Sequence, residues 1–158
     1  GLGDVYKRQN VKVASILSKE KNITIDLKNS EELITMDGDV NMLNFVLRNL
    51  LSNSIKFTPN KGLIEVSVKQ SENEIEFCVR DTGVGIPEDM IENLFKIDKA
   101  FTTPGTNKEK GTGLGLILCH DFIARHNGAI RVESKLNAGS SFYVLLPRYQ
   151  KIKDKTNE

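Results

Sequence analysis

The sequence predicts an α+β protein, a two-layer sandwich with a mixed, mostly antiparallel sheet and helices on one face. Two observations carry this. Segments with period two come in pairs split by brief turns: "LIEVSVK" and "EIEFCVRD" across "SENE", then "AIRVES" and "SSFYVLLP" across "LNAG". That pattern reads as hairpins. Two longer segments, residues 40 to 56 and about 114 to 126, are apolar with a period near 3.6 and read as helices able to gather on one side. No internal repeat is visible.

Each element has its own signal. Residues 11 to 20 suggest a short helix with Val13, Ile16 and Leu17 on one side. "NITIDLK" alternates Ile23, Ile25 and Leu27 as a half-buried strand, and "LITMD" suggests another. Asp39 is a suitable N-cap for the helix at 40 to 56, which Pro59 and Gly62 end. Ile64, Val66 and Val68, then Ile75, Phe77 and Val79, mark the inner faces of the first hairpin. "GVGIPEDMIENLF" reads as a loop and a helix with Pro87 near its start. Residues 96 to 113, rich in Lys, Thr and Gly, form a long loop suited to a lid. Gly128 lies just past the end of the last helix.

Residues 1–9, "GLGDVYKRQ", carry no period and read as a cloning or sequencing remnant; residues 10–150 form the domain; residues 151–158, "KIKDKTNE", read as a solvated polar tail. At 158 residues, with 39% hydrophobic and 27% charged content, the chain suits one soluble domain. A net charge of +1 predicts no strong field and argues against nucleic acid as a partner. The apolar runs fall far short of a membrane span, and no stretch has the layout of a secretory signal. Cys78 and Cys119 stand apart, outside any metal-ligand spacing, and read as reduced, buried thiols in a cytoplasmic setting.

Three stretches admit chemistry. On the helix at 40 to 56, Val40, Leu43, Leu47, Leu50, Leu51 and Ser54 share one broad side, and Asn49, Asn53 and Lys56 line up opposite. That stripe fits a solvated face. That is the favoured reading of the stripe taken alone, but it could instead hold a metal–phosphate unit, an amide oxygen being a hard ligand and Lys a point charge. Period two places Asp81 on the core face with Ile75, Phe77 and Val79, where a carboxylate needs donors. Thr82 or a nearby backbone N–H would satisfy it at a turn; alternatively it accepts from a ligand's amino group, with Gly83 and Gly85 letting the backbone approach a flat ring. Finally, Gly111, Gly113 and Gly115 precede a helix whose free N–H groups would face the loop as an anion site. A hinge explains these glycines too.

Taken together and in order, "NLLSNSIKFT" (49–58), "DTGVGIP" (81–87) and "GTGLGL" (111–116) resemble the N, G1 and G2 boxes of the ATP-binding domain of sensor histidine kinases. That domain belongs to a wider family shared with gyrase, Hsp90 and MutL ATPases. "HNGAIRVESKLNAGSSFYVLLP" is similar to the end of a histidine kinase, so the resemblance covers about residues 11 to 147. It implies a Bergerat-type fold and an ATP-binding catalytic domain over 10–150. It implies that Asp81 accepts from the adenine amino group, with Gly83, Gly85 and Ile86 close to the base. Asn53 would ligate Mg²⁺ with Asn49 beside it, Lys56 would touch phosphate, and Phe57 would lie near the base or sugar. Thr112 and the backbone at Gly111, Gly113, Leu114 and Gly115 would hold the phosphates, under a lid spanning 96 to 110.

The family's paired Phe spacing is altered here. Phe95 is followed three on by Asp98, and the next Phe is Phe101, so either Lys96 or Lys99 would be the lid cation. His120 and His126 both fall in the final helix, and His126 suits packing or capping better than accepting phosphate. The resemblance therefore implies Mg·ATP binding and transfer of the γ-phosphoryl to a histidine on a separate dimerisation hairpin, absent from these residues, and onward to a response regulator receiver domain. The lobe would not autophosphorylate alone, and its parent could be membrane-anchored. An anti-sigma-type serine kinase, a non-kinase ATPase module and a degenerate scaffold are the alternatives.

Overall fold

The computed structural model describes residues 21–28, 34–96 and 114–150. The helix expected at 11 to 20 and nearly all of the expected lid lie outside these residues. The described elements are β1 (Thr24–Leu27), α1 (Val40–Lys56), β2 (Leu63–Gln70), β3 (Glu74–Asp81), α2 (Glu88–Ile91), α3 (Gly115–Arg125), β4 (Ala129–Ser134) and β5 (Ser140–Pro147).

The strands form one five-stranded sheet in the order β1-β2-β3-β5-β4. β1 runs parallel to β2 and the other neighbours are antiparallel. Period two sorts the sheet's faces as the sequence predicts. Ile64, Val66, Val79, Phe142, Val144 and Leu146 point to one face and join Val46, Leu50, Leu51 and Ile55 of α1 and Cys119 and Ile123 of α3 in a single core. Phe45 and Phe122 meet edge to face at 5.2 Å between α1 and α3. The other face is polar, and Glu65 lies opposite Arg80 and Lys69 opposite Glu76 across β2 and β3, so its charges alternate in sign.

Asp39 caps α1 from an extended conformation, its Oδ1 accepting from Met42 N at 3.0 Å. The buried stripe of α1 is Val46, Leu50, Leu51, Ser54 and Ile55. It is rotated from the expected one, because Leu43 and Leu47 sit at the margin of the core. The last carbonyls of α1 are capped from outside: the Lys21 ammonium donates to Ile55 O at 2.9 Å and Lys56 O at 3.1 Å.

Two local expectations change. "LITMD" forms no strand over its described residues 34–37. Ile34 is buried against Val68 and Ile75, so the alternation there records burial of a connecting segment, while Asp37 N donates to Arg148 O. At the end of α3 the left-handed residue is Asn127, at φ 60°, ahead of Gly128. Asn127 N donates to Ala124 O and Gly128 N to Ile123 O, a Schellman closure. Gly128 is needed for space, since a Cβ there would press on Leu145 O.

Candidate functional site

A cleft of about 320 Å³ opens between the end of α1, the end of β3, the 82–87 loop, α2, the first turn of α3 and the turn before β5. Its wall is mostly apolar, with Val84, Ile86, Met90, Leu94, Leu116, Leu136 and Phe142 among the lining residues. Such a concave apolar site with few placed polar groups is the usual form of a small-molecule pocket.

The central polar group is Asp81. It ends β3 with its side chain inward, 6% exposed. Its Oδ1 accepts from Gly83 N at 2.9 Å and Ser140 N at 3.2 Å. Thr82, the other sequence candidate for satisfying it, is engaged elsewhere, its Oγ1 accepting from Leu63 N. The carboxyl's second oxygen takes neither backbone donor. Burial pushes the Asp81 pKa up, and the Gly83 and Ser140 N–H groups oppose the rise, with a weaker opposition from neighbouring Ser54. Ser54 Oγ is itself buried and lies beside this carboxyl without closing a hydrogen bond of ordinary geometry among the described residues.

The two loop glycines are explained by the protein's own backbone. A Cβ on Gly83 would collide with Phe57 O and Asp81 Oδ1. Gly85 has φ +74° and a Cβ there would strike the Lys135 carbonyl. The loop is stitched at three points. Val84 N donates to Phe57 O, Asn137 N donates to Val84 O, and Ile86 N donates to Ser134 Oγ at 2.8 Å. The cleft floor is thereby tied both to the end of α1 and to the β4–β5 turn.

From α1, Asn53, Ser54 and Lys56 line the cleft, followed by Phe57. The Lys56 Nζ stands 5.0 Å from the Phe57 ring centroid. Neither Asn53 nor Lys56 is on a fully solvated face; both are half-buried. Asn49 lies one turn back, outside the lining residues. Its Nδ2 donates to Phe45 O at 3.3 Å, and its Oδ1 occupies the space a side chain on Gly115 would need. Gly115 thus lets the start of α3 close onto α1. Leu114 precedes α3 without a side-chain cap and is about half exposed.

Of the sequence-predicted site residues, the cleft brings together Asn53, Lys56, Phe57, Asp81, Gly85 and Ile86. Gly83, Asn49 and Gly115 stand behind or beside it. Lys99, Gly111, Thr112 and Gly113 lie outside the described residues. Ser140, Leu136, Met90, Leu94 and Phe142 went unread as site residues. Ser140 had a findable signal, since pairing of β3 with β5 sets it opposite Asp81. Phe95 stacks on His120 at 5.4 Å, and His126 is buried against α1, as its predicted packing role requires.

The sequence profile described as "Histidine kinase-, DNA gyrase B-, and HSP90-like ATPase" matches residues 38–150, which take in every wall of this cleft. The chain belongs to that ATPase family. The adaptive-response sensory kinase SasA of Gloeothece citriformis is 35% identical over 133 residues, 84% of this chain and 33% of that protein. Sporulation kinase A of Bacillus subtilis is 32% identical over 139 residues, 86% of this chain and 22% of that protein. The chain spans a third or less of these relatives. Among solved structures, the catalytic domain of histidine kinase ThkA is 27% identical at a TM-score of 0.75, covering 91% of this chain and 92% of that one. Full-length ShkA in complex with AMPPNP is 27% identical at 0.77, covering 95% and 31%. The fold is thus that of histidine kinase ATPase domains, with the parallel β1–α1–β2 unit and the antiparallel strands in one mixed sheet. No helix among the described residues is long and apolar enough to cross a membrane.

Proposed function

We propose that residues 10–150 are the ATP-binding catalytic lobe of a sensor histidine kinase, residues 1–9 and 151–158 lying outside that domain. The observation that carries the reading is Asp81. One carboxylate oxygen is held by two backbone N–H groups, and this leaves the other for an exocyclic amine at the wall of an apolar cleft. Adenine would lie against Ile86, Met90 and Phe142 with its amino group on Asp81, and Phe57 near the base or sugar. Lys56 would meet phosphate oxygens. Gly111, Thr112, Gly113, Leu114 and Gly115 would hold the phosphates at the start of α3, whose first N–H groups lack intrahelical partners, and Lys96 or Lys99 would close over them.

The residues also fit Mg²⁺. Among the described residues no cluster of three His, Cys, Asp or Glu could cage a metal, while the Asn53 carboxamide lines the cleft. A single amide oxygen suffices for an ion that keeps waters and takes phosphate oxygens. When bound, Mg²⁺ supplies neutralisation of phosphate charge; the chain's own part is to hold the nucleotide in line for transfer. The acceptor would be a histidine on a separate dimerisation hairpin, with a response regulator receiver domain next, so this lobe alone would not label itself.

Calorimetry tests the binding reading. Wild-type chain should bind ATP and discriminate strongly against GTP, whose O6 acceptor would face a carboxylate; equal binding of both overturns the adenine assignment. Transfer is tested by mixing the chain with radiolabelled ATP and a separate dimerisation hairpin. Acid-labile, base-stable label on the hairpin's histidine supports a histidine kinase, and label on serine overturns it.

A further inference from the structure

The Lys21 ammonium is only 4% exposed and lies 34 residues before the nearest carbonyl it holds, Ile55 O. Its second acceptor, Lys56 O, belongs to a residue that itself lines the cleft. The next peptide carries Phe57, whose ring is another cleft wall and whose carbonyl accepts from Val84 N of the 82–87 loop. One buried cation therefore holds the short stretch where three features of the site meet: the Lys56 side chain, the Phe57 ring and the seam to the loop after Asp81.

Its charge matters as well as its hydrogen bonds. The last carbonyls of a helix carry a partial negative charge, felt most within the last turn. Left uncovered beside the cleft, these carbonyls would repel an anion. A buried positive charge on them acts in a medium of low dielectric, where it is weakly screened.

We propose that Lys21 is a positioning residue for the nucleotide's phosphates: it neutralises the carbonyl end of α1, beside which the anion would lie. This rests on the nucleotide reading above. The segment that carries Lys21 is itself fastened, with Lys61 N donating to Lys21 O and Thr24 N to Gly62 O, so the ammonium is delivered by a fixed backbone.

The test compares ATP with adenosine by calorimetry in wild type, Lys21→Met, Lys21→Gln and Lys21→Arg. Lys21→Met should lose about five-fold in ATP affinity, in the range expected for a charge at a helix end, with adenosine affinity nearly unchanged. Lys21→Arg, which keeps the charge, should recover most of the loss. If Lys21→Met does not fold, Lys21→Gln decides, since it keeps a donor and removes the charge. A folded Lys21→Met or Lys21→Gln protein with an unchanged ratio of ATP to adenosine affinity overturns the proposal, and so does equal weakening of both ligands. Failure of the wild-type chain to bind ATP at all would instead remove the reading on which it rests.

Discussion

Asp39 and His126, 87 residues apart, are joined by a hydrogen bond in which Asp39 N donates to His126 Nε2 at 2.9 Å. The ring's other nitrogen lies 2.7 Å from Phe122 O. Since Nε2 accepts, Nδ1 carries the proton and donates to that carbonyl. His126 is thus a neutral bridge from the C-terminal end of α3 to the N-cap of α1, with both nitrogens engaged. His126→Phe keeps much of the volume but removes the partner of a part-buried N–H and a part-buried carbonyl. It should cost about 1–2 kcal/mol in urea unfolding, with little change in slope. A variant as stable as wild type would show that the bridge contributes nothing.

Asp81 gives two linked pH effects of opposite use. Burial raises its folded pKa above the ordinary carboxylate value of 3.8. The folded protein then binds this proton more readily than the unfolded chain. Ligand-free stability from this group therefore falls as pH rises from 3.8 through the folded pKa, and stays lower above it. Asp81→Asn keeps an oxygen for the Gly83 and Ser140 N–H groups and removes the charge. It should be as stable as wild type or more so at pH 7 by thermal melting. ATP binding should move the other way. It needs the ionised carboxylate, so wild-type affinity should decline on acidification at a pH above 3.8, and Asp81→Asn should lose on the order of 100-fold at pH 7. A variant that melts earlier and binds ATP normally would refute both halves.

The hairpins were legible because period two needs only neighbours in sequence. Alternation at Ile75, Phe77 and Val79 placed Asp81 inward correctly, and Asp39 marked the start of α1 to the residue. The same rule misled at "LITMD", where Ile34 is buried without strand pairing. Half of the cleft was out of reach for a physical reason. Ser140 comes to Asp81 from 59 residues away, and Leu136, Met90 and Leu94 become walls only after turns fold over. Gly83 and Gly85 were read as making room for a ring, yet each has a steric reason within the fold, at Phe57 O and Lys135 O. Lys21 carried no signal, since a lone Lys before a strand looks like any solvated cation.

Ser54 illustrates a residue at the boundary of two faces. Helical period set it with the apolar residues, and it is indeed 2% exposed, but it also lines the cleft, near Asp81, with a hydroxyl that closes no hydrogen bond of ordinary geometry. A buried hydroxyl without a partner is destabilising, and its removal leaves a small hole. Ser54→Ala should therefore be neutral or stabilising by up to about 1 kcal/mol in ligand-free denaturant unfolding. A loss of more than that would mean that the hydroxyl has a strong partner in solution.

The two thiols should differ in reach and in acidity. Cys119 lies fully within the core between α1 and α3, and burial pushes its pKa up to about 12. Cys78 sits half-buried on the polar face of the sheet, its pKa raised chiefly by burial and held back by Arg80. The thiolate is the reactive form, so both should react more slowly than a free cysteine. Cys78 needs only deprotonation at the sheet surface, whereas Cys119 must wait for the helices to part. With a chromogenic disulfide reagent at pH 8, one thiol should titrate without denaturant, and Cys78→Ser should abolish that phase. The second should appear only as the protein unfolds, with a rate that follows the unfolding rate in urea. Prompt modification of Cys119 in the native Cys78→Ser protein would mean that α1 and α3 separate far more often than a closed core allows.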